Sequence, residues 1–224
     1  MLLEGQTEEA FVKATLAPHL EKHGVYAIPT VVWTNRWPSG GGQRGGVANW
    51  SQIHRDLREL TKDGNAWVTS MLDFYGLPKD FPGQNEIRDT NDAYKNVELL
   101  ETRFAEALGN ERERFIPFIT LFEFEALVFS SPVAVASHFG SNKLEGALRS
   151  IVEEAKSPEL INSGENTHPK MRLMRLLKEH NDAYDWAIDG PTILHKTGIQ
   201  AIRNACPHFN AWITRLESLE AAPQ

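Results

Sequence analysis

Short apolar runs alternate with amphipathic segments through the first half of the chain, and this alternation constrains the fold more than any other feature. Residues 1–3 (MLL), 25–34 (VYAIPTVVWT), 67–72 (WVTSML) and 115–121 (FIPFITL) are rich in aliphatic, β-branched and aromatic side chains and read as strands. Between them, residues 8–23, 49–63 and 90–108 read as helices. Phe11, Leu16 and Leu20 mark the apolar face of the first, and Ile53, Leu57 and Leu60 that of the second. Gly24, Gly64 and Gly109 supply the stops. Strand–helix alternation of this kind predicts an α/β fold with a parallel sheet. Right-handed crossovers then bring the C-terminal tips of the strands to one edge. The first strand is short, as though residues precede it, and Pro29 points to an edge or a bulge in the second. Residues 132–224 change character and predict helices at 132–139, 144–155, 171–180, 192–204 and 207–219. The expected organisation is an α/β domain over 1–131 with a helical region, 132–224, packed on it.

The strand tips carry acids. Leu2-Leu3 stops at Glu4, Gly5 lets the backbone turn tightly, and a helix starts at once with Glu8 and Glu9 in its first turn. Glu8 lies one helical turn beyond Glu4, so the two carboxylates can face one pocket. The plainer reading is that Thr7 caps the helix and Glu8 and Glu9 suit its dipole. Residues 67–72 run into Asp73, and 115–121 into Phe122-Glu123-Phe124-Glu125. If that last segment is extended, Glu123 and Glu125 share a face; if it turns helical at Phe122, they diverge. Open parallel sheets bind ligands at the carboxyl ends of their strands. Glu4, Asp73 and one or both of Glu123 and Glu125 are therefore expected to converge. Carboxylates gathered this way stay ionised together only around cations, and an oxygen-only set favours Mg²⁺ or Mn²⁺. That chemistry suits phosphodiester hydrolysis, with nearby lysine or arginine neutralising the phosphate.

Other features exclude more than they assign. The net charge of −7 argues against a generally basic nucleic-acid binder, without excluding local basic patches. A single cysteine, Cys206, allows no internal disulfide and suggests a reducing, cytoplasmic setting. No apolar run reaches membrane-spanning length, and the start lacks the basic and apolar regions of a signal peptide. Gly40-x-Gly42-x-x-Gly45 matches a dinucleotide fingerprint by letters. It lies in a long loop with Trp37 and Pro38, not in a tight strand–turn–helix, and is rejected. Arg36 and Arg44 in that loop either close over a phosphate or serve no ligand. His19 and His23 stand four apart, a metal-binding spacing, but no third ligand is near in sequence, and histidines also suit a helix C-terminus. No Gly-x-Ser-x-Gly elbow, Walker loop or zinc cluster supports an acyl hydrolase, an intrinsic ATPase or a zinc enzyme. No Asp-x-Asp follows a strand, as an aspartyl phosphatase would want.

Taken in order, Leu3-Glu4-Gly5-Gln6-Thr7-Glu8, Met71-Leu72-Asp73-Phe74-Tyr75-Gly76-Leu77-Pro78, Phe115-Ile116-Pro117-Phe118, Glu123-Phe124-Glu125-Ala126-Leu127 and Cys206-Pro207-His208-Phe209 with Trp212 resemble the family catalogued as domain of unknown function 4276. That family is similar to Toprim-like proteins, including RloB-type proteins and the nucleases of the overcoming-lysogenization-defect group. The resemblance implies a Toprim-like sheet whose acids bind Mg²⁺ for strand cleavage. Glu4 matches the Toprim glutamate, Glu8 its companion, and Asp73 the first acid of an Asp-x-Asp motif. The second acid is absent, since Tyr75 stands there, and Glu125 is the candidate replacement. Thr167-His168-Pro169-Lys170-Met171-Arg172 resembles a late basic element, so Lys170 and Arg172 are expected at a phosphate or on a solvated helix start. His208 is either an acid/base group or a histidine packed beside Phe209 and Trp212.

The expectation is a Mg²⁺-dependent nuclease acting on DNA or RNA in anti-phage defence. Glu4, Asp73, Glu123 and Glu125 would hold metal, and Glu8, Lys170 and Arg172 would assist. A partner ATPase and a homo-oligomer are compatible with it. The rival is a non-catalytic docking or regulatory subunit of an ATPase complex, favoured by Tyr75, the short first strand and the acidic charge.

Overall fold

The computed structural model describes residues 1–36, 42–46, 49–87, 92–162 and 168–219. It is an α/β fold. Strand β1 (Leu2–Leu3) lies between β2 (Thr30–Val31) and β5 (Val68–Asp73), and every pairing in this sheet is parallel. The far edge of β5 is covered by two short strands, β6 (Phe115–Ile116) and β7 (Ile119–Thr120), with Val68 opposite Phe115 and Asp73 opposite Thr120. Pro117, which has no N–H, interrupts what is otherwise one strand. Ser70 splices the gap: its hydroxyl donates to Phe118 O and accepts from Phe118 N, both at 3.0 Å.

The 25–34 segment departs from expectation. Val25–Pro29 forms no strand. After β2, residues Trp33–Arg36 (β3) leave the sheet and pair antiparallel with Gly42–Arg44 (β4). Thr30 N and Ile28 O, on either side of Pro29, both bond Met1, and the pairing with β1 stops there. Gly42 and Gly45 therefore belong to a ribbon and the turn after it, which agrees with rejecting a dinucleotide loop; Gly40, Trp37 and Pro38 lie outside the described residues.

Side chains alternate across the sheet. Leu3, Met71 and Ile116 face one side, and Leu2, Leu72, Val68 and Phe115 face the other. The second face is covered by α2 (Trp50–Leu60, capped by Asn49, whose side chain accepts from Gln52 N) and by α3 (Ala93–Glu106). Ile53, Leu57, Val97, Leu100 and Phe104 supply its core. The first face packs against α1, which is α-helical over Gln6–Phe11, π-helical over Val12–Leu16 and α-helical again over Ala17–Glu21.

The same core continues into the C-terminal helices. These are α4 (Glu125–Val128), α5 (Pro132–His138), α6 (Asn142–Ala155), α7 (Pro169–Glu179), α8 (Asp189–Thr197), α9 (Ile199–Ala205) and α10 (Pro207–Glu217). Leu173, Ile193 and Phe209 lie in one buried cluster with Leu3 and Met71, so a single core runs from the sheet into residues past 132. The helix expected at 192–204 is two, broken at Gly198, whose φ of 77° is a left-handed conformation glycine adopts freely. No described helix is long and apolar enough to cross a membrane.

Candidate acidic site at the strand tips

Glu4 leaves β1 while its N–H still bonds Met71 O at 3.2 Å, so its side chain stands at the C-terminal lip of the sheet. Gly5 is the N-cap of α1, with no side-chain cap. Thr7, the expected cap, lies inside the helix and is buried. Glu8 is buried on the same turn, with only 6% of its surface exposed. Asp73 ends β5. Phe122, at φ 63°, turns the chain out of the extended conformation, and Glu125 opens the short helix α4, also buried.

These four acids wall one cleft of about 400 Å³, with Lys170 and Trp186 at its rim. Glu4 Oε2 accepts from Asp73 N at 3.0 Å. Lys170 Nζ lies 3.9 Å from Glu125 Oε1 and 4.8 Å from the centre of the Trp186 ring. Gly45 and Gly46 cover Glu4, and Gly46 N donates to Glu4 O at 3.1 Å. Gly76 packs so closely under the Glu4 carboxylate that a Cβ there would sit 2.5 Å from Oε1.

Each acid receives a backbone N–H, but one oxygen lacks a donor. Asp73 receives the Phe124 N–H, but its buried Oδ1 has no hydrogen-bond partner among the described residues. Burial pushes every one of these carboxyls up. Glu8 and Glu125 both rise to about 7, Asp73 rises well above the usual carboxylate range, and Glu4 rises as well. Burial is the largest cause in each, and mutual repulsion adds to it: Glu4 and Glu125 act on both Glu8 and Asp73. An all-oxygen set of this kind suits a hard divalent cation. Its ligand atoms are not as tightly drawn together as the His19, His23 and Glu217 atoms, which lie within 4.8 Å of one another.

Two expected site residues stand elsewhere. Glu123 does not wall the cleft; the positive φ of Phe122 breaks the extended chain just before it, and the helix starts only at Glu125, so the two acids do not share a strand face. Glu123 Oε2 instead accepts from His168 Nδ1 at 2.7 Å and Lys170 N at 3.1 Å, holding the start of α7. Arg172 points away, its Nη1 3.8 Å from Glu154 Oε2 on α6. Thr167 of the same basic segment lies outside the described residues. Tyr75, in the place of a second acid, turns outward and donates to Asn162 Oδ1 at 2.5 Å. His208 is packed, stacked on Phe118 and bonded to Glu101 at 2.9 Å. It lines a larger groove of about 940 Å³ between α3 and α10 that contains none of the cleft acids. Sequence reasoning missed Trp186, Gly76 and His168. Gly76 left a trace, as the glycine three residues after an acid at a strand end, and His168 stood in the late basic segment; Trp186 left none.

No curated protein and no solved structure matches the chain. The sequence does match, over residues 3–217, the family described as a domain of unknown function (DUF4276), and the chain belongs to that family.

Proposed function

We propose that the cleft is a divalent-cation site of a Toprim-like phosphodiester hydrolase that acts on nucleic acid, with Mg²⁺ or Mn²⁺ as its cofactor and a role in anti-phage defence. The observation that carries the reading is Asp73: a strand-tip carboxyl with a buried, donorless oxygen, surrounded by Glu4, Glu8 and Glu125. Burying acids together is costly unless something cationic joins them.

Glu4, Asp73 and Glu125 would hold the ion, with Glu8 behind them. A bound cation of this class supplies charge to stabilise a phosphate in transition and to acidify a water. The chain's own groups do the rest. Asp73 N fixes the Glu4 carboxylate, and Gly76 leaves room for it. Lys170 offers a positive charge to a non-bridging phosphate oxygen, steadied against the Trp186 face. The exposed Trp186 ring offers a surface on which a base can stack. Glu8, behind the ligands and with its carboxyl raised by burial to about 7, is suited to hold or move a proton.

The test is cleavage of plasmid DNA and of tRNA with Mn²⁺ or Mg²⁺, then with chelator. Cation-dependent cleavage that is lost in Glu4→Gln supports the reading. Intact substrates under all conditions, with a partner ATPase present or absent, would sink it. A second reading is a non-catalytic docking subunit of an ATPase complex. Tyr75 favours it, because the residue in the second-acid position is committed to Asn162 and faces away from the cleft.

A further inference from the structure

We propose that His19, His23 and Glu217 form a second metal site, specific for a transition ion of the Zn²⁺ class, that clamps the last helix onto the first. His19 lies in the final turns of α1, and His23 follows one turn later in the chain's exit from that helix. Their rings stand 5.2 Å apart. The third ligand, out of reach in the sequence, arrives from the end of α10. Glu217 Oε1 is 2.6 Å from His19 Nε2 and 3.5 Å from His23 Nε2. One ligand atom from each of the three lies within 4.8 Å of the others, the spread that a single ion at ~2.0–2.2 Å from each would draw together.

The donor set decides the ion. Two imidazoles and one carboxylate form a borderline-soft set, preferred by Zn²⁺ and its neighbours over Mg²⁺. Three protein ligands leave a fourth position open, and the 41% exposure of the His23 side chain gives an ion its entry path. Arg203 competes for Glu217, with Nη1 2.6 Å from the same Oε1. It does not depend on that contact alone, because its Nε donates to Asn210 Oδ1 at 2.7 Å and Nη2 to Thr214 Oγ1 at 3.0 Å. Its fork can follow the second oxygen of Glu217 when the first takes an ion.

The site is separate from the acidic cleft. Glu8 and His23 stand at opposite ends of α1, roughly 20 Å apart at the rise of a helix. A bound ion would tie α10 to the helix that carries Glu8. The expected effect is a gain in stability without any direct part in chemistry at the strand tips.

The experiment is calorimetric titration of Zn²⁺ into the metal-free full chain, with thermal unfolding and the visible spectrum of the Co²⁺-loaded protein as parallel readouts. The wild type is expected to take one tight equivalent, to melt higher with Zn²⁺, and to give the intense visible bands of imidazole-bound Co²⁺. His23→Gln, which removes an exposed ligand with little packing, should weaken that equivalent about 100-fold. Glu4→Gln/Asp73→Asn should leave it intact, which separates this site from the cleft. The proposal fails if the folded wild type takes no Zn²⁺, or if the tight equivalent survives His23→Gln and disappears with the cleft substitutions.

Discussion

The cleft acids and Glu159 are carboxylates buried wholly or in part, yet their surroundings differ. Glu159 sits at the N-terminus of α10 and accepts from Phe209 N at 2.9 Å, His208 N at 3.0 Å and the Tyr94 hydroxyl at 3.2 Å. It substitutes for the side-chain cap that Cys206 does not supply. Asp73 and its neighbours each receive a backbone N–H, but Asp73 Oδ1 has no hydrogen-bond partner among the described residues, and several other acids lie close by. Both regions push their carboxyls upward through burial, and in both backbone N–H groups oppose the shift, but only in the cleft do further acids reinforce it. Burial alone therefore does not mark a functional acid. What sets the cleft apart is the mutual repulsion of its acids and the one oxygen left without a donor.

The contrast can be broken most sharply at the level of chemistry. Asp73→Asn is expected to lower Mn²⁺-dependent cleavage by about 10³-fold, the scale of losing one charge-stabilising group at a reacting phosphate. Arg172→Met, at a residue directed towards Glu154, should leave cleavage within about twofold. Gel assays of plasmid and tRNA check both, and equal loss in the two would erase the distinction between cleft and surface. Stability comes next, with the opposite pattern. Glu159→Ala strands two backbone N–H groups and should cost about 3 kcal/mol in urea unfolding.

Glu8→Gln should do the reverse in the absence of metal. The Glu8 carboxyl rises from 4.5 to about 7 on folding, so between those values the folded chain binds more protons than the unfolded one. The stabilisation is complete below about pH 4.5 and is lost as pH rises through 7. Metal-free wild type should therefore weaken from pH 5 to pH 8. Glu8→Gln should flatten that fall and gain about 2 kcal/mol at pH 8, less than a lone group would give because the neighbouring acids share the titration. Unfolding curves at the two pH values in chelator measure it. The smallest expected effect is at Gly76→Ala. A Cβ there collides with the Glu4 carboxylate and should weaken Mn²⁺ binding about tenfold while leaving Glu159 and its helix untouched.

Much of this arrangement was legible in the sequence. Apolar runs ending at Glu4 and Asp73 predicted both the parallel sheet and the edge at which its acids meet. The alternation of Leu2 with Leu3, and of Met71 with Leu72, encodes burial on both faces. The failures have physical causes. Glu123 and Glu125 could not be separated without knowing that Phe122 adopts a positive φ and ends the strand. Lys170 and Arg172 lie two apart on a helix, so they cannot face one cleft together; that rule was available and would have demoted one of the pair. Glu217 lies 198 residues from His19, and only the packing of α10 on α1 brings it there. Residues 25–29 have the composition of a strand, but of them only Ile28, whose carbonyl accepts from Met1 N, bonds to the β1 segment.

The most direct test of the central claim is calorimetric titration of Mn²⁺ into the chain at pH 7 in two buffers of different ionisation enthalpy, comparing wild type with Asp73→Asn. Wild type should bind the ion and release protons, because Glu8 and Glu125, at about 7, are part-protonated before it enters. Asp73→Asn should bind roughly 100-fold more weakly. Mn²⁺ binding of equal strength in both proteins, or none in the folded wild type, would contradict the claim that these carboxylates are gathered around a cation.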